Sequence, residues 1–293
     1  MLITGFDQAA QVTTRGGRVV SYVAGGTEVL ATGVPEEAYA GALLAPWPNR
    51  VANGTWIWAG QELQLAVNEP ERRCALHGLV AAREFTVVDR QSDRVAVRFA
   101  LGASAGYPFE LCVEATYQLT EQGLECSLSA TNETQVRVPV ALGVHPYLDA
   151  RGLVDDCVLT IPADQVVHGD AQWTEIGRPR VDSTSWDLRN GRRVGTEAID
   201  ACWTDLTPDR DGRVTSRLGF ANGESVAVWG GDTTRYVVVY NSDTLAGELR
   251  RRSIAIEPNT APANALRSGI DLDELGPGES LRLEWGLSPS WLA

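Results

Sequence analysis

Between Leu111 and Ala130 the chain alternates with a period of two. Leu111, Val113, Ala115, Tyr117 and Leu119 fall on one side, and Cys112, Glu114, Thr116 and Gln118 on the other. After Glu121-Gln122-Gly123 the same period resumes with Leu124, Cys126, Leu128 and Ala130. Only an extended strand puts every second residue on one face, and a strand with one buried and one wet face belongs in an antiparallel sheet. Shorter apolar runs repeat the signal at 18–23, 84–89, 94–101, 136–144, 225–229, 235–240, 253–256 and 280–287. Residues 55–58 and 61–65 flank Ala59-Gly60 as a hairpin, and 272–279 reads as a turn. Strands nowhere alternate with long amphipathic helices, which disfavours a parallel α/β fold. The expectation is an all-β chain, mainly antiparallel, with residues 1–293 forming a single domain whose length is ample for a large core.

Composition narrows the chemistry. The formal net charge is −13, which argues against nucleic acid and anionic membranes as partners. No run of about 18 apolar residues offers a membrane span. The first residues, Met1-Leu2-Ile3-Thr4-Gly5-Phe6-Asp7, lack the basic region and apolar run of a secretory signal. All 25 basic residues are arginine. Without lysine the chain can make neither a Schiff base nor a Walker-type phosphate loop. No GxGxxG follows a strand, and neither HExxH nor CxxC occurs. The five scattered cysteines are expected to be reduced, buried thiols in a cytoplasmic protein. A small-molecule ligand is expected, bound by a monomer or homodimer.

Against this background a few ionisable residues stand out. In Ser253-Ile254-Ala255-Ile256-Glu257-Pro258 an apolar alternation runs into a carboxylate, and a proline is expected to stop the strand there. The strand expected at 136–144 delivers His145-Pro146-Tyr147 in the same design. Ionisable residues at the mouths of rigid strands are held well enough for acid–base work. His77 precedes Gly78, which would let the backbone turn or a ligand approach closely. Pro46 and Pro48 make a stiff loop that presents Trp47, Asn49 and Arg50. Asp200 sits among apolar residues as a cap or a buried, partnered carboxylate. His168 reads as a surface-loop residue, and 172–193 as loop. Histidine plus carboxylate can act as general acid and base near neutral pH, and nine tryptophans offer flat faces to sugar rings. Two histidines with a carboxylate are also a conceivable metal site, but no HxH or HxxxH spacing supports one.

Five motifs occur in one order: PWPNR at 46–50, LHGL at 76–79, GVHPY at 143–147, IDACW at 199–203 and IAIEPNTAPANAL at 254–266. LGPGESLRLEWGL at 275–287 closes the series. Over nearly its whole length the chain resembles the aldose 1-epimerase (galactose mutarotase) family. The wording of PWPNR and LHGL is most similar to a bacterial branch that includes candidate sulfo-sugar mutarotases. The resemblance implies a β-sandwich of the galactose-mutarotase type, an open cleft on a concave sheet, no cofactor and no metal. It implies interconversion of the α and β anomers of an aldose. Glu257 resembles the general base that takes the anomeric hydroxyl proton, and His145 the general acid at the ring oxygen. His77 resembles a second family histidine near the ring or anomeric oxygen. Asn49, Arg50 and Asp200 match positions that grip ring hydroxyls, and Tyr147 follows His145 as in the family.

One departure bears on substrate. Family members often carry a glutamine on the strand matching 235–240, whereas this chain reads Arg235-Tyr236-Val237-Val238-Val239-Tyr240. Arg72 and Arg73 are either solvated charges or readers of a phosphate or sulfonate on the sugar. A glycoside hydrolase using Glu257 with Asp200, and a non-catalytic sugar-binding module, are the competing readings.

Overall fold

A computed structural model describes residues 1–292. The strands Leu111–Thr120 and Gly123–Asn132 pair antiparallel without a break, from Leu111 opposite Asn132 to Thr120 opposite Gly123. They lie within a nine-stranded sheet, with Arg94–Leu101 beside the first and Ser280–Pro289 beside the second. A second sheet of eight strands includes, in spatial order, Ala163–Gly169, Asp200–Leu206, Tyr236–Tyr240, Ser253–Asn259 and Gly143–Val144. A four-stranded meander, Leu2–Gly5 through Thr27–Glu28, makes a smaller third sheet. The chain is the mainly antiparallel all-β protein that its alternation predicts, and its two large sheets share a core as in the sandwich that the resemblance implies.

The same alternation gives the second sheet two different faces. Val237, Val239, Ile254, Ile256, Ala201 and Trp203 join Leu128, Leu283 and Trp285 of the nine-stranded sheet in one hydrophobic core. Their neighbours Cys202, Tyr236 and Val238 form a separate buried cluster on the opposite face. Glu257 stands opposite Val238 in the ladder and so belongs to that second face.

Two strand ends differ from expectation, and the differences explain each other. The strand containing Glu257 continues through Pro258 to Asn259, with Val237 opposite Pro258 and Tyr236 opposite Asn259. On its other flank it pairs with Tyr147–Asp149 near Ala255 and with Gly143 at Asn259. Pro258, which has no N–H to donate, falls in the gap between those two partners. The chain that leaves the gap is His145-Pro146.

The run expected at 136–144 is likewise two short strands in different sheets. Val138–Val140 pairs with Asp273–Leu275, and Gly143–Val144 pairs with Leu43–Leu44. Pro139 cannot donate to a continuous ladder, and the chain changes sheets after it. Part of the turn expected at 272–279 is therefore the strand Asp273–Leu275. His168 is exposed, but it lies on the strand Ala163–Gly169 rather than in a loop.

Candidate active site

The gap beside Ser253–Asn259 opens into a cleft of about 540 Å³. Glu257, His145, His77, Asn49, Arg50, Tyr147 and Asp200 all line it. Residues from five separate regions of the sequence thus meet at one place.

At the centre, His145 Nε2 lies 3.2 Å from Glu257 Oε1, and the two side chains are 7% and 2% exposed. Glu257 Oε2 and His145 Nδ1 have no partner. A buried carboxylate with an unused oxygen is costly to a fold, so its presence points to work on a ligand. Burial, and after it the Asp200 carboxylate, pushes Glu257 well above the ordinary range, with Arg50 acting the other way. Burial takes His145 down to about 3; a backbone hydrogen bond opposes this, and the charge of Arg50 adds to it. Each group alone favours its neutral form, so together they hold one proton over a wide pH range.

His77 is fixed by its backbone and by Asn49. Both residues have positive φ, 58° and 55°. The His77 N–H donates to the Asn49 carbonyl at 2.8 Å, and the Asn49 N–H donates to His77 Nδ1 at 3.2 Å. With Nδ1 accepting, a neutral His77 carries its proton on Nε2 and is a donor. Burial, then the charges of His145 and Arg50, keep His77 well below its usual pKa, hence neutral. Gly78 makes the turn possible. Its φ is +74°, and a Cβ there would sit 2.2 Å from the Ala45 carbonyl oxygen. We expect Gly78→Ala to lower stability by roughly 2 kcal/mol and to raise KM, because the loop and His77 must shift; urea unfolding with steady-state kinetics checks both.

Arg50 is held in a fork by Glu69, Nε to Oε2 at 2.7 Å and Nη2 to Oε1 at 2.8 Å. Its Nη1 donates to Asn49 Oδ1 at 3.4 Å. Sequence reasoning missed Glu69, since nothing in its local pattern announces a partner 19 residues away. Asp200 begins the strand Asp200–Leu206 at the cleft edge, with Arg72 Nη1 3.8 Å from its Oδ2. Partial desolvation raises Asp200, with Arg50 and Arg72 opposing. The two neighbouring arginines part company: Arg72 lines the cleft, while Arg73 Nη2 donates to Asn53 Oδ1 at 2.8 Å.

Tyr147 lies against His145, with ring centroids 5.0 Å apart and planes within 18°. Its hydroxyl donates to the Ala38 carbonyl at 3.2 Å. Tyr39, also missed from sequence, packs on His77 at 4.5 Å. Its sequence neighbourhood, Glu36-Glu37-Ala38, gives no hint of a site. The cleft face of the strand Tyr236–Tyr240 presents Val238 and Tyr240, with no side-chain amide.

The family model for aldose 1-epimerase matches residues 3–288. The chain belongs to the aldose 1-epimerase family. An uncharacterized Escherichia coli protein, YihR, is 30% identical over 282 residues, 94% of this chain and 89% of its own. Human galactose mutarotase is 30% identical over 200 residues, which span 66% of this chain and 57% of the human protein. Among solved structures, an aldose epimerase homologue from C. elegans superposes with a TM-score of 0.87 at 19% identity, covering 99% of this chain and 98% of its own. Galactose 1-epimerase from Lactobacillus acidophilus gives 0.81 at 19% identity, covering 98% and 92%. These likenesses establish the galactose-mutarotase type of sandwich. The family match and the galactose mutarotase relative support sugar mutarotation in general. Among the described residues, no helix is long and apolar enough to cross a membrane.

Proposed function

We propose that this aldose 1-epimerase family member interconverts the anomers of an aldose by acid–base ring opening, with Glu257 and His145 as the proton-transferring pair. The observation that carries this reading is the 3.2 Å approach of His145 Nε2 to Glu257 Oε1 in a buried site that leaves Glu257 Oε2 without a partner.

When the shared proton sits on His145 and Glu257 is ionised, Glu257 takes the proton from O1 of the closed sugar while His145 gives its proton to O5. The C1–O5 bond breaks as the C1–O1 double bond forms. After rotation about C1–C2, His145 takes the proton back from the O5 hydroxyl and Glu257 returns one to O1, which closes the other anomer. Charge is conserved and the pair holds one proton before and after. A site where both partners resist carrying charge keeps that proton mobile. His77, donating through Nε2, stabilises negative charge on the ring or anomeric oxygen. Arg50, braced by Glu69, grips ring hydroxyls together with Asn49 and Asp200, and Tyr147 holds the His145 ring in place.

The hydrolase reading fares worse. The group within hydrogen-bond reach of Glu257 is a histidine, whereas Asp200 stands on a strand separated from it by Tyr236–Tyr240. A second substrate reading has an observation of its own. The Arg72 guanidinium comes no nearer than 3.8 Å to a carboxylate and is 40% exposed at the cleft rim. It is free to meet an anionic substituent on the sugar. Anomer-exchange NMR on galactose, glucose, a hexose phosphate and a sulfonated hexose separates the two. A neutral-sugar enzyme exchanges the first two faster, and an anionic-sugar enzyme loses its preference in Arg72→Ala. No exchange with any of the four removes the proposal.

The paired shifts predict an unusual pH profile. His145 gains a second proton for the pair only as pH falls toward about 3, not near the ordinary histidine value. Glu257 loses the last proton only above the ordinary carboxylate range. The acid limb of kcat/KM is therefore expected well below pH 6. An acid limb with an apparent pKa near 6.5 would mean that His145 titrates as though exposed, and the buried-pair account fails.

A further inference from the structure

Beside His77 the cleft is walled by a strap of chain, residues 32–40, tethered at both ends to the segment that carries His145. The Ala31 N–H donates to the Tyr147 carbonyl, and the Gly41 N–H to the His145 carbonyl, each at 2.9 Å. Gly41 has a φ of +66°, and a Cβ there would sit 1.9 Å from the Val19 carbonyl oxygen, so this end is closely seated. Between the tethers lies one turn of 3-10 helix, Glu36–Ala38, none of whose residues is buried. Apolar burial therefore does little to fix the turn, and polar contacts must do so.

The turn separates two cavities. Glu37, Ala38 and Tyr39 line the cleft, whereas Glu36 lines a groove of about 390 Å³ together with Arg15 and Arg18. In that groove Glu36 Oε1 accepts from Arg15 Nε at 2.6 Å and from Arg18 Nη2 at 3.1 Å. Arg18 is 5% exposed, and its Nη2 also donates to the Ala81 carbonyl at 2.6 Å. Solvent screens so buried a guanidinium poorly, so its pull on Glu36 outlasts that of the exposed Arg15. On the cleft side, Tyr39 has a φ of +61° and lays its ring on His77. Its hydroxyl accepts from Asn68 Nδ2 at 3.2 Å, and Asn68 also bonds both backbone groups of Leu76, the residue before His77. The Tyr39 ring packs further on Ala42, Leu44 and Ala81. Arg18 and Tyr39 thus meet at Ala81.

We propose that Glu36 is a positioning residue for the reaction. Clamped by Arg15 and Arg18 outside the cleft, it sets the turn that holds Tyr39 on His77, and so aims the His77 Nε2 donor. The inference rests on the mutarotase reading of the cleft. The hydrogen bond from Asn49 to His77 Nδ1 fixes one atom of the imidazole and leaves its plane free to tilt. The Tyr39 ring, inclined at 55° with centroids 4.5 Å apart, and the His145 ring, edge-on at 5.2 Å, close on His77 and remove that freedom. A donor aimed at an oxygen that gains charge as the ring opens acts mainly on the transition state. Loss of the clamp is therefore expected to lower kcat and to leave KM nearly alone. An ion pair that served the surface only would change neither.

The test pairs exchange kinetics with imidazole NMR, in which the three histidines give three sets of signals. His168, exposed on the strand Ala163–Gly169, is the internal control for an intact fold. In Glu36→Ala the His77 signals are expected to move toward their positions in Tyr39→Ala, while those of His168 stay in place. With whichever of the four sugars the parent exchanges fastest, kcat should fall about tenfold at nearly constant KM. Glu36→Gln, which keeps an acceptor for Arg18, should shift both readouts in the same direction and less far, and it carries the test if Glu36→Ala does not fold. Added to Tyr39→Ala, Glu36→Ala should cost less than about a further twofold, since the clamp acts through that ring. Unmoved His77 signals with full kcat overturn the clamp, and so do losses that multiply in the double variant. His77 signals that respond to Glu36→Ala and Tyr39→Ala alike, in a chain that exchanges none of the four sugars, support the clamp and overturn mutarotation instead.

Discussion

Glu257→Gln is expected to reduce anomer exchange by about 10³-fold or more, within the range that a positioned general base contributes, and to make the protein more stable at pH 7. Both effects have one cause. The carboxylate is 2% exposed, and burial holds its pKa well above the usual 4.5. Between the unfolded value and the raised folded value, the native state binds more protons than the unfolded state. Stability therefore falls as pH rises through that window. Glutamine keeps the size and the hydrogen-bonding reach toward His145 but has no proton to lose. The stability gain should be a few degrees in Tm at pH 7, at about 2–4 °C per kcal/mol for a larger domain, and should shrink toward pH 4.5. Calorimetry at both pH values with exchange kinetics checks the pair of effects. A variant that is inactive but less stable at pH 7 would mean that Glu257 supports the fold, and near-normal exchange would remove it from the chemistry altogether.

His145→Gln is the second large effect, again about 10²–10⁴-fold on exchange. Glutamine places an Nε2 donor where His145 Nε2 now faces Glu257 Oε1 at 3.2 Å, so the hydrogen bond can be kept while proton delivery is lost. Its consequence for stability has the opposite pH dependence. The depressed histidine leaves the native state with fewer protons than the unfolded state between about 3 and the ordinary 6.5. Its contribution is complete above that window and lost as pH falls through it. The variant should be less acid-sensitive than the parent. Combining Glu257→Gln with His145→Gln should cost little more than either alone, because the two proton transfers belong to one ring-opening step and the pair acts as a unit. Multiplying losses in the double variant would instead assign them to separate steps.

Much of the fold was legible because one face of most strands is buried. The alternation from Leu111 to Ala130 specifies both strands and their register, since a slip by one residue would turn every apolar side chain to water. Where proline interrupts a ladder, local reading went wrong in both directions. Pro258 was expected to end its strand, yet it sits where no partner needs its N–H. The run 136–144 was expected as one strand, yet the chain changes sheets between Val140 and Gly143, just after Pro139. Such outcomes depend on which strand lies alongside, which no local window contains. The site divides the same way. His145, His77, Asn49, Arg50 and Asp200 stand at strand ends or in a stiff loop, Glu257 lies within its strand beside the gap, and order and motif pick all six out. Glu69 and Tyr39 carry no such mark, because their importance lies in gripping Arg50 and covering His77 across the fold.

The central claim is ring opening by proton transfer, and it is tested most directly by following an aldose labelled with carbon-13 at C1 and oxygen-18 on O1. Breaking C1–O5 and closing it again interconverts the anomers while O1 stays on C1, so the account predicts enzyme-accelerated α–β exchange with the isotope shift of C1 retained. Accelerated exchange with loss of oxygen-18 to water would mean that the C1–O1 bond is the one cleaved, and no acceleration over buffer would mean that the buried His145–Glu257 pair does not open the ring; either result contradicts the account.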